Sequence, residues 1–143
     1  MQYVQTILQA AKLAKVSGLV LLAICTHETG LKNVIVHRDG NTSSYGICMV
    51  KAETAAFLKF KGKPEDLLNP KINAKYAALY LKYQQERYGN YCKSTSAYNS
   101  GTYHESAVKP GYPKNLKYVL GVRDKMNKHF QNLIDCDKMG SGE

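Results

Sequence analysis

The sequence predicts an all-α single domain, and three observations carry that reading. Apolar residues recur at three- and four-residue spacing along most of the chain, as one buried face of a helix requires. Glycines fall where these runs stop, at Gly18, Gly30, Gly62 and Gly89, the positions expected of helix ends. Strand-like sequence is confined to Val34-Ile35-Val36, ahead of an Asp39-Gly40-Asn41 turn, which leaves room for a minimal β-hairpin around 34–45.

Each element follows from its own pattern. Val4, Ile7, Leu8, Ala11 and Ala14 define a first helix that ends at Ser17 and Gly18. A second, largely buried helix runs from Leu19 to Thr29 and stops at Gly30. "VKAETAAFLKFKG" predicts a third, ending at Gly62. The longest spans "NPKINAKYAALYLKYQQERYG", with Asn69 as cap, Pro70 in the first turn and Gly89 as the close. Its expected buried stripe is Ile72, Tyr76, Leu79, Tyr80 and Tyr83. A short helix over "CKSTSAYNSG" follows, then a loop, then a last helix carrying Leu116, Val119, Leu120, Val122, Met126 and Phe130. The domain is expected over 1–134, with 135–143 as a flexible tail.

With 143 residues and 44% hydrophobic content the chain is long and apolar enough for one real core. Its net charge of +9 favours anionic partners, but the lysines are scattered. No nucleic-acid motif accompanies them, so they read as a solvated surface. The apolar run Gly18–Cys25 is too short to span a bilayer, which takes roughly 20 residues, and Ile24 before Cys25 does not fit a cleavage site. Neither membrane insertion nor export by this segment is expected. Cys25, Cys48, Cys92 and Cys136 contain no CxxC pair and do not read as a disulfide framework or zinc site. Cys25 and Cys48 are expected as core thiols, a Cys92–Cys136 bridge is left open, and a reducing site of synthesis is favoured.

One acid stands apart. Glu28 in "ICTHETGLKN" emerges from the apolar run Leu19–Cys25 just before a glycine, while the other acids lie in polar or helix-surface contexts. A carboxyl removed from water either finds a partner or keeps its proton, and one that keeps its proton serves as a general acid. His27-Glu28 fails the HExxH zinc pattern because Leu31 stands where the second histidine belongs. Cys48 or Cys92 paired with His27, His37, His104 or His129 lacks any local feature that would activate a thiol. No metal or organic cofactor is implied.

Four stretches in order then identify a family: the "ETG" at Glu28, "GICMV" continuing to "ETA", "NPKINAKYAALYL" and "AYNSG". Together they resemble the soluble-type lytic transglycosylases (SLT domains) of the lysozyme-like superfamily, over about residues 3 to 125. "KYVLGV" is similar to that family's following helix, with Tyr118 at the matching place. The resemblance implies a lysozyme-like helical domain with a peptidoglycan groove and Glu28 as catalytic acid and then base. Cleavage of the bond between N-acetylmuramic acid and N-acetylglucosamine would leave a 1,6-anhydro end. Ser43 or Ser44, with Tyr45 adjoining, is similar to the serine region that contacts the acetamido group. Tyr98 resembles the tyrosine beside the acid. Asn99 and Gly101 would shape its turn, Gly46 would permit a tight approach before a helix, and Tyr80 would line the groove.

The chain departs from the family pattern at Met49, where Gln is usual, at Cys48 for Met, Thr29 for Ser and Ala52 for Pro. Met49 would replace an amide contact by an apolar one. The implied partners are peptidoglycan strands and anionic wall polymers, met by a monomer in the cell wall or periplasm. A phage endolysin or virion-associated enzyme is expected, released by a holin, delivered by a virion or expressed without its leader. The rival enzyme is a hydrolysing muramidase that uses Glu28 with Asp39 as second carboxylate. Two rivals are not enzymes: a non-catalytic wall-binding module and, on charge alone, a nucleic-acid-binding module.

Overall fold

A computed structural model describes residues 3–37 and 43–137. Asp39, Thr42 and the tail 138–143 lie outside the described residues. Helix α1 (Val4–Ala14) and helix α2 (Gly18–Thr29) are separated by Lys15, Val16 and Ser17, whose Oγ caps α2 by accepting from Val20 N at 3.2 Å. Three short antiparallel strands follow in the order β1 (Ile35–His37), β2 (Ser43–Tyr45) and β3 (Val50–Lys51). Then come α3 (Ala52–Phe57), a 3-10 turn at Pro64–Leu68, the long α4 (Pro70–Tyr88) and α5 (Tyr91–Ser100). After a loop, α6 (Leu116–Arg123) and a second 3-10 turn, Lys128–Leu133, complete the domain. No helix among the described residues is long and apolar enough to cross a membrane.

Helix α4 is the spine, with α1 and α5 packed along it and α2 laid against α1 and α6. Asn69 caps it as expected, accepting from Lys71 N and Ile72 N. Its buried face differs from the expected stripe. Asn73, Ala74, Ala77, Ala78, Leu81 and Gln84 face inward, while Ile72, Tyr76, Leu79, Tyr80 and Tyr83 are only half-buried. The alanines let neighbouring helices close on this face, and that pushes the bulky side chains to its shoulders. Ile7, Val20, Leu21, Ile24, Val119 and Val122 fill the core against it.

Two predicted helices are shorter than their patterns suggest. Val50 and Lys51 pair with Tyr45 and Ser44 as β3 instead of opening α3, and residues 46–49 form a turn, not a helix. Helix α3 stops at Phe57 because Lys59 turns to φ +75°. The last helix ends at Arg123. Gln131 then folds back to donate to the Met126 carbonyl and accept from Arg123, so Met126 and Phe130 leave the helix.

The cysteines are the largest correction. Cys25 is bonded to Cys48, not held as a core thiol, and Cys92 is bonded to Cys136. Spacing could not reveal these pairs, because packing alone brings α2 against the 46–49 turn and the start of α5 against the C-terminal segment. Cys136 is also 6% exposed, so the covalent frame extends past residue 134. Disulfides persist in oxidising compartments, against the reducing site favoured on sequence.

Asn73 joins the spine to the sheet. Its amide nitrogen donates to the Tyr45 carbonyl at 2.6 Å and the Leu67 carbonyl at 2.8 Å. Its carbonyl oxygen accepts from Cys48 N at 2.9 Å. Gly46 sits against this amide at φ +79°, where an added Cβ would press on Asn73 and lie 2.7 Å from the Leu67 oxygen. Asn73→Ala is expected to lower stability by about 3 kcal/mol, since it strands buried backbone groups. Urea unfolding of the oxidised protein checks this, with exposed Lys75→Ala staying within about 0.5 kcal/mol of wild type. Reduction of both disulfides is expected to remove a further several kcal/mol, about 2–5 for each bridge, read as a drop in the urea midpoint with added thiol.

Candidate active site

The site begins at the C-terminal end of α2. Gly30 closes the helix at φ +64° and donates to the Thr26 carbonyl at 2.8 Å. One turn after the buried pair Ile24 and Cys25, Glu28 stands half-buried at the edge of an open cleft of about 220 Å³. The same helical end grips the opposite wall twice. Cys25 is bonded to Cys48, and Thr29 Oγ1 donates to the Ile47 carbonyl at 2.7 Å. Ile47 is fully buried.

The 46–49 turn is held from a third side as well. Tyr98, on α5, donates its hydroxyl to the Cys48 carbonyl at 2.8 Å. With these ties in place Met49 is kept at φ +52°, a left-handed conformation that a side chain with a Cβ seldom adopts and that costs about 1–3 kcal/mol. The strained residue lines the cleft.

Glu28 has its hydrogen-bond partner on α6. The Tyr118 hydroxyl donates to Glu28 Oε2 at 2.7 Å, across 90 residues of sequence. Tyr118 is positioned by His27, whose ring meets it edge-on at 5.2 Å. Gly121 makes room for that imidazole, since a Cβ there would lie 2.5 Å from His27 Cε1. Burial raises the Tyr118 phenol well above its usual pKa of 10, and the adjacent carboxylate reinforces the shift. Burial followed by the Glu28 charge does the same for Tyr98. Both phenols therefore stay protonated and remain donors.

Of the residues expected at the site, Glu28, Ser44, Met49, Tyr80, Tyr98 and Asn99 line this one cleft. Ser43 and Tyr45 do not. Alternation along β2 turns them away from the face that Ser44 presents, and Ser43 Oγ lies 3.1 Å from His37 Nδ1 instead. Gly101 ends α5 at φ +84° as expected, and Asn99 Oδ1 accepts from Asn115. Sequence reading missed Lys51, Glu53 and Thr54, which line the cleft because β3 and α3 form its wall. Glu53 reads as an ordinary surface acid, and only the turn of the chain after Met49 makes it a wall residue. Among the described residues, no group of three histidines, cysteines or acids is gathered to hold a metal ion.

The arrangement offers a carboxyl inside a walled groove, one oxygen of it engaged by a phenol, with aromatic and hydroxyl side chains around it. Such a carboxyl has the chemistry to give and take a proton. Comparison with known proteins points the same way. The family model for the transglycosylase SLT domain matches residues 5–118. Among solved structures, the lytic transglycosylase Slt of Pseudomonas aeruginosa, in an inactive mutant form, is similar with a TM-score of 0.59 at 14% identity. The match covers 96% of this chain and 23% of that one, so the chain spans under a quarter of that protein's length and the likeness is one of fold. No curated protein matches. The mainly helical domain with its small three-stranded sheet is the lysozyme-like SLT fold. Because the family match runs from the first helix to Tyr118, and so across every residue lining the cleft, the chain belongs to the transglycosylase SLT domain family.

Proposed function

We propose that this SLT domain is a peptidoglycan lytic transglycosylase in which Glu28 acts first as acid and then as base. The observation that carries the reading is the Glu28 carboxyl in the cleft with Tyr118 donating to Oε2. Tyr118 fixes the carboxyl plane and leaves Oε1 to face the substrate. Glu28 gives its proton to the oxygen of the bond between N-acetylmuramic acid and N-acetylglucosamine, and that bond breaks. The substrate's own acetamido group stabilises the cationic sugar carbon left behind. The Glu28 carboxylate next takes the proton of the muramoyl 6-hydroxyl, whose oxygen closes on that carbon as the 1,6-anhydro ring. No water is consumed, and Glu28 ends protonated, as it began.

Ser44, 1% exposed at the cleft wall, is the hydroxyl available to the acetamido group, with Asn99 across the cleft as a second polar contact. Met49 offers an apolar contact to the sugar where the family pattern has an amide. Tyr98 and Tyr80 form the aromatic wall. The excess of positive charge suits anionic wall polymers, and two disulfides suit work outside a reducing cytosol. A monomer suffices, since one chain carries every residue assigned to the reaction.

Glu28→Gln is expected to keep the wild-type melting temperature and to lose about 10²–10⁴-fold in rate. Mass spectrometry of muropeptides released from purified peptidoglycan should show anhydro-muramoyl ends with wild type and none with the variant. Reducing ends would overturn the transglycosylase reading in favour of hydrolysis and turn attention to Glu53, the second carboxylate on the cleft wall. Tyr118→Phe is expected to lower kcat about ten- to a hundredfold with KM nearly unchanged, the signature of a residue that positions the acid without binding sugar. Steady-state kinetics on soluble glycan strands read that split. A rise in KM with kcat retained would show that Tyr118 serves binding instead.

A further inference from the structure

Helix α6 opens at Asn115, whose backbone carbonyl accepts from Tyr118 N at 3.0 Å and Val119 N at 3.2 Å. An asparagine in that place ordinarily turns its side chain onto the free N–H groups of its own helix. Asn115 does not. Its half-buried amide reaches back to α5 instead. Oδ1 accepts from Ser96 Oγ, and Nδ2 donates to the Ser96 carbonyl at 3.0 Å and to Asn99 Oδ1 at 3.1 Å. One residue thus begins the helix that carries Tyr118 and holds the side chain of Asn99.

The donors and acceptors of this contact match in one way. A backbone carbonyl can only accept, so the Ser96 oxygen must face Asn115 Nδ2, and the Asn115 amide is fixed end for end. Its second N–H meets Asn99, which can receive it only with Oδ1. Asn99 Nδ2 is then the free end of that amide, and no protein acceptor takes it among the described residues. Asn99 is itself exposed and lines the cleft. An untethered asparagine presents either its oxygen or its nitrogen by a half-turn about its last side-chain bond. Tied to Asn115, Asn99 keeps its oxygen toward α6 and leaves a donor for the cleft. The carbonyl of fully buried Ser96 thereby decides the polarity of a residue at the cleft surface.

We propose that Asn115 is a positioning residue that sets the polarity of Asn99, so that the acetamido carbonyl of a bound sugar meets an amide donor already turned toward it. A carbonyl oxygen binds a donor and repels an acceptor, so the wrong half-turn of Asn99 would forfeit the contact. Fixing the amide beforehand also spares the cost of ordering it on binding. The inference rests on the function proposed above, which puts an N-acetylated sugar in the cleft.

NMR of isotopically labelled Glu28→Gln protein reads the orientation without cleavage. The side-chain amide protons of Asn115 are expected to exchange slowly with water, since both are hydrogen-bonded. Those of Asn99 should exchange fast, and should shift when the tetrasaccharide of alternating N-acetylglucosamine and N-acetylmuramic acid is added. Slow exchange at Asn99, or an Asn99 signal unmoved by the tetrasaccharide, would overturn the proposal. Asn99→Asp still accepts from Asn115 but has no donor to give. In the same background, at high salt to screen the added charge, it is expected to raise Kd about five- to hundredfold, and an unchanged Kd would also overturn the proposal. Asn115→Ala is expected to raise Kd about two- to tenfold with Asn99 present and to add nothing once Asn99→Ala is in place. An equal rise in both backgrounds would mark Asn115 as merely structural. Should Asn115→Ala fail to fold, the exchange pattern and Asn99→Asp still decide. The expected behaviour of both amides, together with no cleavage of peptidoglycan by wild type, would sink the transglycosylase reading and leave the positioning role standing.

Discussion

Asn73 sits near the start of α4 on a face otherwise made mostly of alanine and leucine, where an unpaired polar group would be costly, and the shape of the cleft depends on its buried amide. Its three hydrogen bonds satisfy the backbone of Tyr45, Cys48 and Leu67, groups that packing has cut off from water. Without such a partner, the turn at 46–49 could not lie against the spine, because its own polar atoms would be stranded there. With it, the turn becomes a fixed wall, and Ser44, Met49 and Val50 take places opposite Glu28.

The remaining ties act on the same turn from neighbouring helices. Thr29 and Cys25 reach it from α2, Tyr98 from α5 and Asn73 from α4, so three helices converge on four residues. This density of constraint allows Met49 its left-handed backbone, which a less restrained loop would relax. For the proposed reaction such rigidity would serve proton transfer by Glu28, since a catalytic group displaced by even about 1 Å can lose about a hundredfold in rate. Glu28 is fixed from its other side by Tyr118, and Tyr118 in turn by the packing of His27 against Gly121.

Much of this is legible in the sequence, and what is not has physical causes. Helical spacing, the Asn69-Pro70 start and the glycine stops define α1, α2, α4 and α5, because local propensity and packing agree there. Glu28 stands out since an acid closing an apolar helix needs a reason. The buried face of α4 is misplaced because a hydrophobic pattern ranks Tyr and Ile above Ala, whereas close helix packing favours the small side chain. Ser43 and Ser44 cannot be separated until the register of β2 is known, for one residue of register decides which side chain faces the cleft. The disulfides, the contact between Tyr118 and Glu28 and the wall position of Glu53 depend on tertiary approach across 23, 44 or 90 residues or on a change of chain direction, about which local pattern is silent.

The two disulfides also define how the chain survives cutting. One closes a loop between residues 25 and 48 and the other between 92 and 136, and the loops share no residue. A single peptide-bond break inside either loop leaves one covalent molecule. A break between Glu28 and Cys48 separates the segment bearing the acid from the rest of the backbone, yet Cys25 still joins it to Cys48. The acid and its facing wall are thus linked by a route independent of the peptide chain, and a nicked molecule retains both halves of its cleft in covalent connection.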